Sequence, residues 1–592
     1  MHKVLLPFLA LSFCLSINSQ TNSYKVSFDN AVHHEGVFTL SFPEITSDTL
    51  SVRMANSSPG RYAFHSFAKN VYSFKAMDSK GKTIPFHRPN PYQWDIYGHD
   101  GEVTIQYTLF ANRGDGTFSQ IDETHAHLNI PASFIYAPAL SNRPIEISFN
   151  TPETYQWKVA TQLKKHDEKL YWAPNLYYFM DSPIELSNHS LREFKVNSNG
   201  KNQNIRFVLH HNGTEEELNQ YFESVKLIVK EQEKVFGELP NFDFGEYTFL
   251  ACYMPNVNGD GMEHRNSTIL TSTRSLANEG LKRNLGTVSH EFFHAWNVER
   301  IRPKPLEPFD FDNVDMSGEL WFAEGFTSYY TNLILCRAGL RTPEEYVKGL
   351  NGAFNYVWNS NGTKFFNPIK MSYQAPFVDA ATSLDPQNRN NTFISYYSYG
   401  SVLGLALDLS LRKNNLNLDD FFKKVWNTFG KNEKPYTITD LHLTLNEYAG
   451  KSFGDSYFEN YIYNSNMPDY KTLFASVGLK MTQDEDTGYF GGYVNKNTIG
   501  NNTLIDSPAY KAGLERGDVI TKVNTIEMTE ENHFSDFLKT KKQGDTLAIT
   551  YTRFGKERKT EVTLSKNPKY TISIDTEADE KAVSMRNKWL KQ

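Results

Sequence analysis

The sequence predicts a multidomain chain: an N-terminal all-β domain, a central α+β domain and a compact C-terminal unit. Three observations carry this reading. The length, 592 residues, makes room for three or four domains at about 150 residues each. Near residue 199 the texture changes from short β-prone runs, broken by Gly, Pro, Asn and Asp, to longer stretches with helical apolar spacing. It changes again near residue 471, where a short Gly-containing unit begins, and a polar tail closes the chain.

Taken in order, the first element is "MHKVLLPFLALSFCLSINSQ", in which Lys3 precedes an apolar run from Val4 to Leu15. That run is too short to span a bilayer and has the pattern of a secretory signal peptide over residues 1–20, with cleavage near Ser19 or Gln20. The chain is therefore expected to be exported, to a periplasm or the extracellular space. Cys14 follows the bulky Phe13, which disfavours a lipid anchor at that cysteine. No later run is apolar enough for a membrane span.

Residues 21–198 hold the runs "VFTLSF", "LSVRMA", "EVTIQYTLF" and "IEISFN", which read as short strands of a sandwich. Residues 199–470 open with "EEELNQYFESVKLIVKEQEKVFG", where Leu218, Tyr221, Phe222, Val225, Ile228 and Val229 share one helical face. The strand-like "EYTFLACYMP" follows, then helical segments around His290, around Glu324 and across "SVLGLALDLSLRK". Residues 471–568 form the compact unit, centred on "DSPAYKAGLERGDVITKVN", and 569–592 the tail. Beyond Cys14 the chain has two cysteines, Cys252 in a strand-like run and Cys336 in a helix-like run. They read as buried free thiols. A net charge of −7 argues against a nucleic-acid partner, which usually meets a basic stripe.

The chemistry starts at "SHEFFHAWNVERIRP", from Ser289. His290 and His294 lie four apart and so project from one helical face. Two imidazoles at that spacing can share one tetrahedral zinc ion. Glu291 points beside such an ion, where it can take a proton from water. A third ligand is expected in "SGELWFAEGFTSYYTNL". Glu324 is expected mid-helix in an apolar, aromatic surround, where an unpaired carboxylate is costly. Glu319 lies near a helix start, where acids favour the dipole. Glu324 is therefore taken as the ligand and Glu319 as the alternative. Three ligands leave one position open, the arrangement of a catalytic zinc. Two further clusters, "HAH" at His125 and His127 and "HH" at His210 and His211, read as incidental, the second as exposed.

The motifs "SHEFFHAWNVERIRP" and "WFAEGFTSYY", with "GMEH" upstream and "SPGRYAFHSFAKNV" from Ser58, resemble the glycyl aminopeptidase family of thermolysin-like (gluzincin) zinc metallopeptidases. The resemblance extends over nearly the whole chain after the signal peptide. It implies a β-rich domain, a thermolysin-like catalytic domain, a PDZ-like domain and one zinc ion. It also implies peptide substrates with a free N-terminus, with Gly or Ala preferred there. By the same resemblance, Gly261, Met262 and Glu263 belong to an edge-strand motif whose glutamate grips the substrate's α-amine. Asp260 stands where that motif has its first glycine. Tyr397, followed by Gly400, matches the tyrosine that stabilises the oxyanion, with Tyr396 and Tyr399 as competitors. "SPAYKAGLERGDVITKVN" resembles a PDZ core, and "GYFGGYV" from Gly488 could accept a peptide C-terminus.

Overall fold

A computed structural model of the chain describes residues 20–590, apart from 168, 278, 279, 379–384, 484 and 485. The expected signal peptide lies outside the described residues. Among those described, no helix is long and apolar enough to cross a membrane.

The N-terminal domain is all β, as its short alternating runs require. Asn22–Asn30 buries Tyr24, Val26 and Phe28 on one face while its other face meets solvent. It sits inside an eight-stranded sheet, parallel to Ile145–Asn150 and antiparallel to Glu35–Phe42. A four-stranded sheet contains His125–Leu128 beside Ile184–Ser187, and a three-stranded sheet is built on Gln93–Tyr97. An aromatic core joins these layers. Phe38 stacks on Tyr107 at 5.2 Å between ring centres and meets Phe134 edge-on at 5.0 Å.

The catalytic domain opens on a five-stranded sheet in the order Ser190–Ser198, Lys201–His211, Glu246–Tyr253, Ser267–Thr271 and Asp260–His264. The expected boundary at 198/199 cuts the first hairpin of this sheet. Ser190 pairs opposite Leu209 and Ser198 opposite Lys201, so the sheet begins at Ser190. The edge strand Asp260–His264 runs antiparallel to its neighbour. Helix Glu215–Phe236 starts at a capping box between Thr214 and Glu217, and it buries all six apolar residues read from its spacing.

Three further helices carry the site: Leu285–Phe293, Gly325–Arg337 and Tyr396–Lys413. The last two cross so closely that a Cβ on Gly400 would lie 1.8 Å from the Trp321 carbonyl oxygen and 2.7 Å from the Gly325 Cα. The stretch between His294 and Glu324 loops outward and docks on the N-terminal domain. The Phe311 carbonyl accepts from the amides of Asn56 and Ser57, and Asp312 pairs with Arg53 and Tyr136.

The C-terminal unit is a small β domain around Phe490, Ile520, Leu547 and Val562. Its 501–506 loop is held by the catalytic domain, with Asn391 bonding the Thr503 carbonyl at 3.0 Å and the Ile505 amide at 2.8 Å. The final residues are not a free polar tail. Tyr570–Ile574 pairs with Leu479–Gln483. Helix Glu580–Leu590 sinks Trp589 into the catalytic core, where its indole donates to the Tyr329 hydroxyl at 2.9 Å. The polar residues of this helix cover one face, and Trp589 and Leu590 anchor the other.

Gly400→Ala is expected to overpack the helix crossing and cost about 1–3 kcal/mol. Calorimetry should register a lower unfolding temperature. An unchanged one would mean that the two helices separate freely.

Candidate active site

His290 sits in the last turn of Leu285–Phe293, and His294 follows as its C-terminal cap residue. The helix ends there, yet the spacing of four still brings both rings to one side, with the Nε2 atoms 3.1 Å apart. Each ring is fixed through its other nitrogen. His294 Nδ1 donates to the Asn297 carbonyl. His290 Nδ1 lies 3.0 Å from the Thr331 hydroxyl, which itself donates to the Thr327 carbonyl and so receives the imidazole proton. Both Nε2 atoms thus face one another, and a proton or a cation must lie between them.

Glu324 completes the cluster. It stands at the junction of Leu320–Ala323 and Gly325–Arg337, not in mid-helix. Its Oε2 is 3.2 Å from His294 Nε2 and 3.5 Å from His290 Nε2, and is a buried oxygen with no hydrogen-bond partner. Tetrahedral zinc with N and O ligands needs ligand edges of about 3.3 Å. The three observed edges fit. Glu319 takes no part in this cluster; the Ser317 hydroxyl donates to it at 2.8 Å.

Two more carboxylates close in. Donor atoms of Glu263 and Glu291 lie within 4.8 Å of each other and of His294. Burial pushes Glu291 well above the usual carboxylate range, and Glu263 and Glu324 add to this while His294 opposes it. Burial also raises Glu263. His294 is pulled down by burial, but Glu324, Glu263 and Glu291 outweigh that and push it up to about 10. The surround is one in which a cation is strongly favoured.

The remaining expected residues fall around this centre. Gly261 lies flat against Glu291, and a Cβ there would come within 2.2 Å of the Glu291 Oε1. Only glycine lets Glu291 pack on the edge strand. Met262 is fully buried and touches the N-terminal domain, where a Cβ on Gly60 would meet its sulfur at 2.2 Å. Tyr397 lines a cavity of about 450 Å³ together with His290, Glu291 and Gly261. Tyr396 and Tyr399 are buried in the core. His264 is a hydrogen-bonding neighbour, 2.8 Å from Asp181.

Comparison with known proteins matches three family models: the peptidase M61 N-terminal domain over residues 23–188, the M61 glycyl aminopeptidase over 283–403 and a PDZ domain over 477–564. The chain matches the M61 glycyl aminopeptidase models over its β domain and over the helices that carry the site. It is a metallopeptidase. Its fold is similar to the crystal structure of an aminopeptidase N family protein from Idiomarina loihiensis, at 23% identity and a TM-score of 0.83, covering 96% of this chain and all of that one. An M1 zinc metallopeptidase from Deinococcus radiodurans is 12% identical with a TM-score of 0.44, over 76% of this chain and 95% of that one. A search of curated proteins found no match.

In this peptidase the N-terminal domain builds one wall of the site, which the sequence reading missed. The Tyr62 hydroxyl donates to the Glu324 Oε1 at 2.8 Å, across 262 residues of chain. Arg61 bonds the Gly261 carbonyl at 3.1 Å and pairs with Asp260, whose carboxylate also receives the Gly116 amide at 3.0 Å. Asp260, the departure from the motif, therefore ties the edge strand to the neighbouring domain. The one signal in the sequence was "SPGRYAFHSFAKNV", a stretch of the β domain that carried the resemblance without an assigned role.

Tyr62→Phe should leave the fold intact and weaken metal binding by about 10–100-fold, the usual cost of losing an outer partner of a ligand. Competition with a chelator measures this. Unchanged affinity would show that Tyr62 does not orient Glu324.

Proposed function

We propose that this peptidase is an exported zinc aminopeptidase that removes single residues, preferentially small ones, from peptides with a free N-terminus. His290, His294 and Glu324 would hold one zinc ion, in keeping with their edges and the unpartnered Glu324 Oε2. When bound, zinc supplies the charge that polarises the scissile carbonyl and makes water acidic enough to attack near neutral pH.

The chain's own groups do the rest. Glu291 accepts the proton of the attacking water and returns it to the leaving amine. Burial and its acidic neighbours raise its affinity for that proton. The Tyr397 hydroxyl donates to the developing oxyanion from the cavity wall. The Glu263 carboxylate pairs with the substrate's α-ammonium, which is mostly cationic at neutral pH.

The observation that carries the exopeptidase reading is the placement of Glu263, with its carboxylate within 4.8 Å of donor atoms of Glu291 and His294. Successive Cα atoms are about 3.8 Å apart. An amine anchor so near the base leaves room for one residue before the scissile carbonyl. A preference for a small first residue, Gly above all, is in keeping with the glycyl aminopeptidase model that the chain matches. Export rests on the apolar run and polar flank of the N-terminal segment.

A peptide series with free and acetylated N-termini tests this reading. Cleavage should occur one residue from the free terminus and be lost on acetylation. Equal cleavage of both forms would replace the aminopeptidase assignment with an endopeptidase. Tyr397→Phe should lower kcat by about 10²–10³, the usual cost of one oxyanion donor, with KM little changed. A loss of less than about threefold would remove Tyr397 from the chemistry.

A further inference from the structure

Three residues set aside in the sequence meet at the boundary between the N-terminal and catalytic domains. His125 comes from the strand His125–Leu128, His210 from the end of Lys201–His211 and Cys252 from Glu246–Tyr253. His210 was expected to be exposed. It is buried, because its strand runs under the N-terminal domain and sits directly beside Cys252 in parallel register. His125 and Cys252 are buried too. A fourth donor, the buried Glu185, approaches from the strand Ile184–Ser187.

The donor atoms converge as ligands of one ion would. His210 Nδ1 lies 3.5 Å from Cys252 Sγ, and His125 Nδ1 lies 3.8 Å from the same sulfur. Glu185 Oε1 is 3.2 Å from His125 Nδ1 and 3.9 Å from His210 Nδ1. Zinc bonds of about 2.0–2.3 Å to N, O and S give tetrahedral edges of about 3.3–3.6 Å. These four edges bracket that range, and His125, His210 and Cys252 offer donor atoms that all lie within 4.8 Å of one another, with Glu185 approaching the two imidazoles. His125 presents Nδ1 inward, and its buried Nε2 has no hydrogen-bond partner but points toward Asp122 Oδ2 at 3.8 Å. An imidazole that gives one nitrogen to a metal commonly turns the other toward a carboxylate. Asp122 is itself held by the Asn256 side chain of the catalytic domain at 2.9 Å.

We infer that His125, His210, Cys252 and Glu185 form a second zinc site, separate from the active centre, that staples the N-terminal domain to the catalytic domain. With four protein ligands it is a closed, structural site. Its outer contacts lead back to the substrate cavity. Glu185 Oε2 faces His127 Nδ1 at 3.3 Å, and His127 Nε2 donates to the Asp115 carbonyl at 2.9 Å. Asp115 lines the cavity beside Glu291 and shapes its loop by accepting the Thr117 and Phe118 amides. The staple thus fixes the wall that Arg61 and Tyr62 complete.

Cobalt(II) substitution of the full chain separates the two centres, because His290, His294 and Glu324 contain no sulfur. The expected result is two metal equivalents per chain and a near-ultraviolet thiolate-to-cobalt charge-transfer band. Cys252→Ser should lose the band and one equivalent, whereas Cys336→Ser and Glu324→Gln should keep the band. A wild-type chain with one equivalent and no thiolate band overturns the proposal, and so does a band that survives in Cys252→Ser. The wild-type spectrum decides the matter even if a variant fails to fold. Failure of the active-site reading would instead show as an intact thiolate band with no loss of metal in Glu324→Gln.

Discussion

Three buried carboxylates, Glu263, Glu291 and Glu324, share one space with two imidazoles, and this crowding governs the centre of the molecule. Buried carboxylates that close repel one another strongly in a low-dielectric interior and must share a proton or a cation. The neighbouring elements answer that constraint. The rings are pinned through Asn297 and Thr331, so that their free nitrogens can point only inward. Gly261 removes the side chain that would otherwise keep Glu291 away from the edge strand. Gly325 and Gly400 let two helices meet at backbone distance, bringing the Glu324 junction and the Tyr397 turn into one volume.

The same constraint explains why the N-terminal domain is more than a covering layer. A carboxylate that offers one oxygen to a cation leaves the other to be satisfied, and Tyr62 does so from the other domain. The edge strand likewise depends on Arg61, which occupies the Gly261 carbonyl and neutralises Asp260. Between the domains, His125, His210, Cys252 and Glu185 repeat the pattern of buried, convergent donors. The loop at Asp115 connects to one cluster through the cavity and to the other through His127.

Much of the centre was legible in the sequence because its rules are local. The i,i+4 spacing of His290 and His294 needs only helix geometry, and Glu291 is brought to the cluster by its place between them. Glu324 could be chosen over Glu319 because an isolated carboxylate among aromatic residues demands a partner. Glu319 has its own in the adjacent Ser317. The all-β domain and the helix Glu215–Phe236 followed from period-2 and period-3.6 patterns. What escaped was set by tertiary contact alone. Nothing local to Tyr62 names Glu324 as its acceptor. His210 looked like the exposed end of a strand, since only the packed neighbouring domain buries it. The C-terminal helix read as polar because most of its residues are. Its anchoring depends on Trp589 meeting Tyr329, 260 residues earlier.

That Trp589 contact makes the seating of Glu324 depend on a segment far from it in sequence. The helix Gly325–Arg337 begins beside Glu324 and, further along, receives the indole at Tyr329 and the Trp589 carbonyl at Arg337. Tyr62 holds the Glu324 carboxylate from the β domain, and Trp589 braces the same helix further along. Glu324 is therefore clamped by two segments remote from it in the chain, and loosening either one would be felt at the carboxylate.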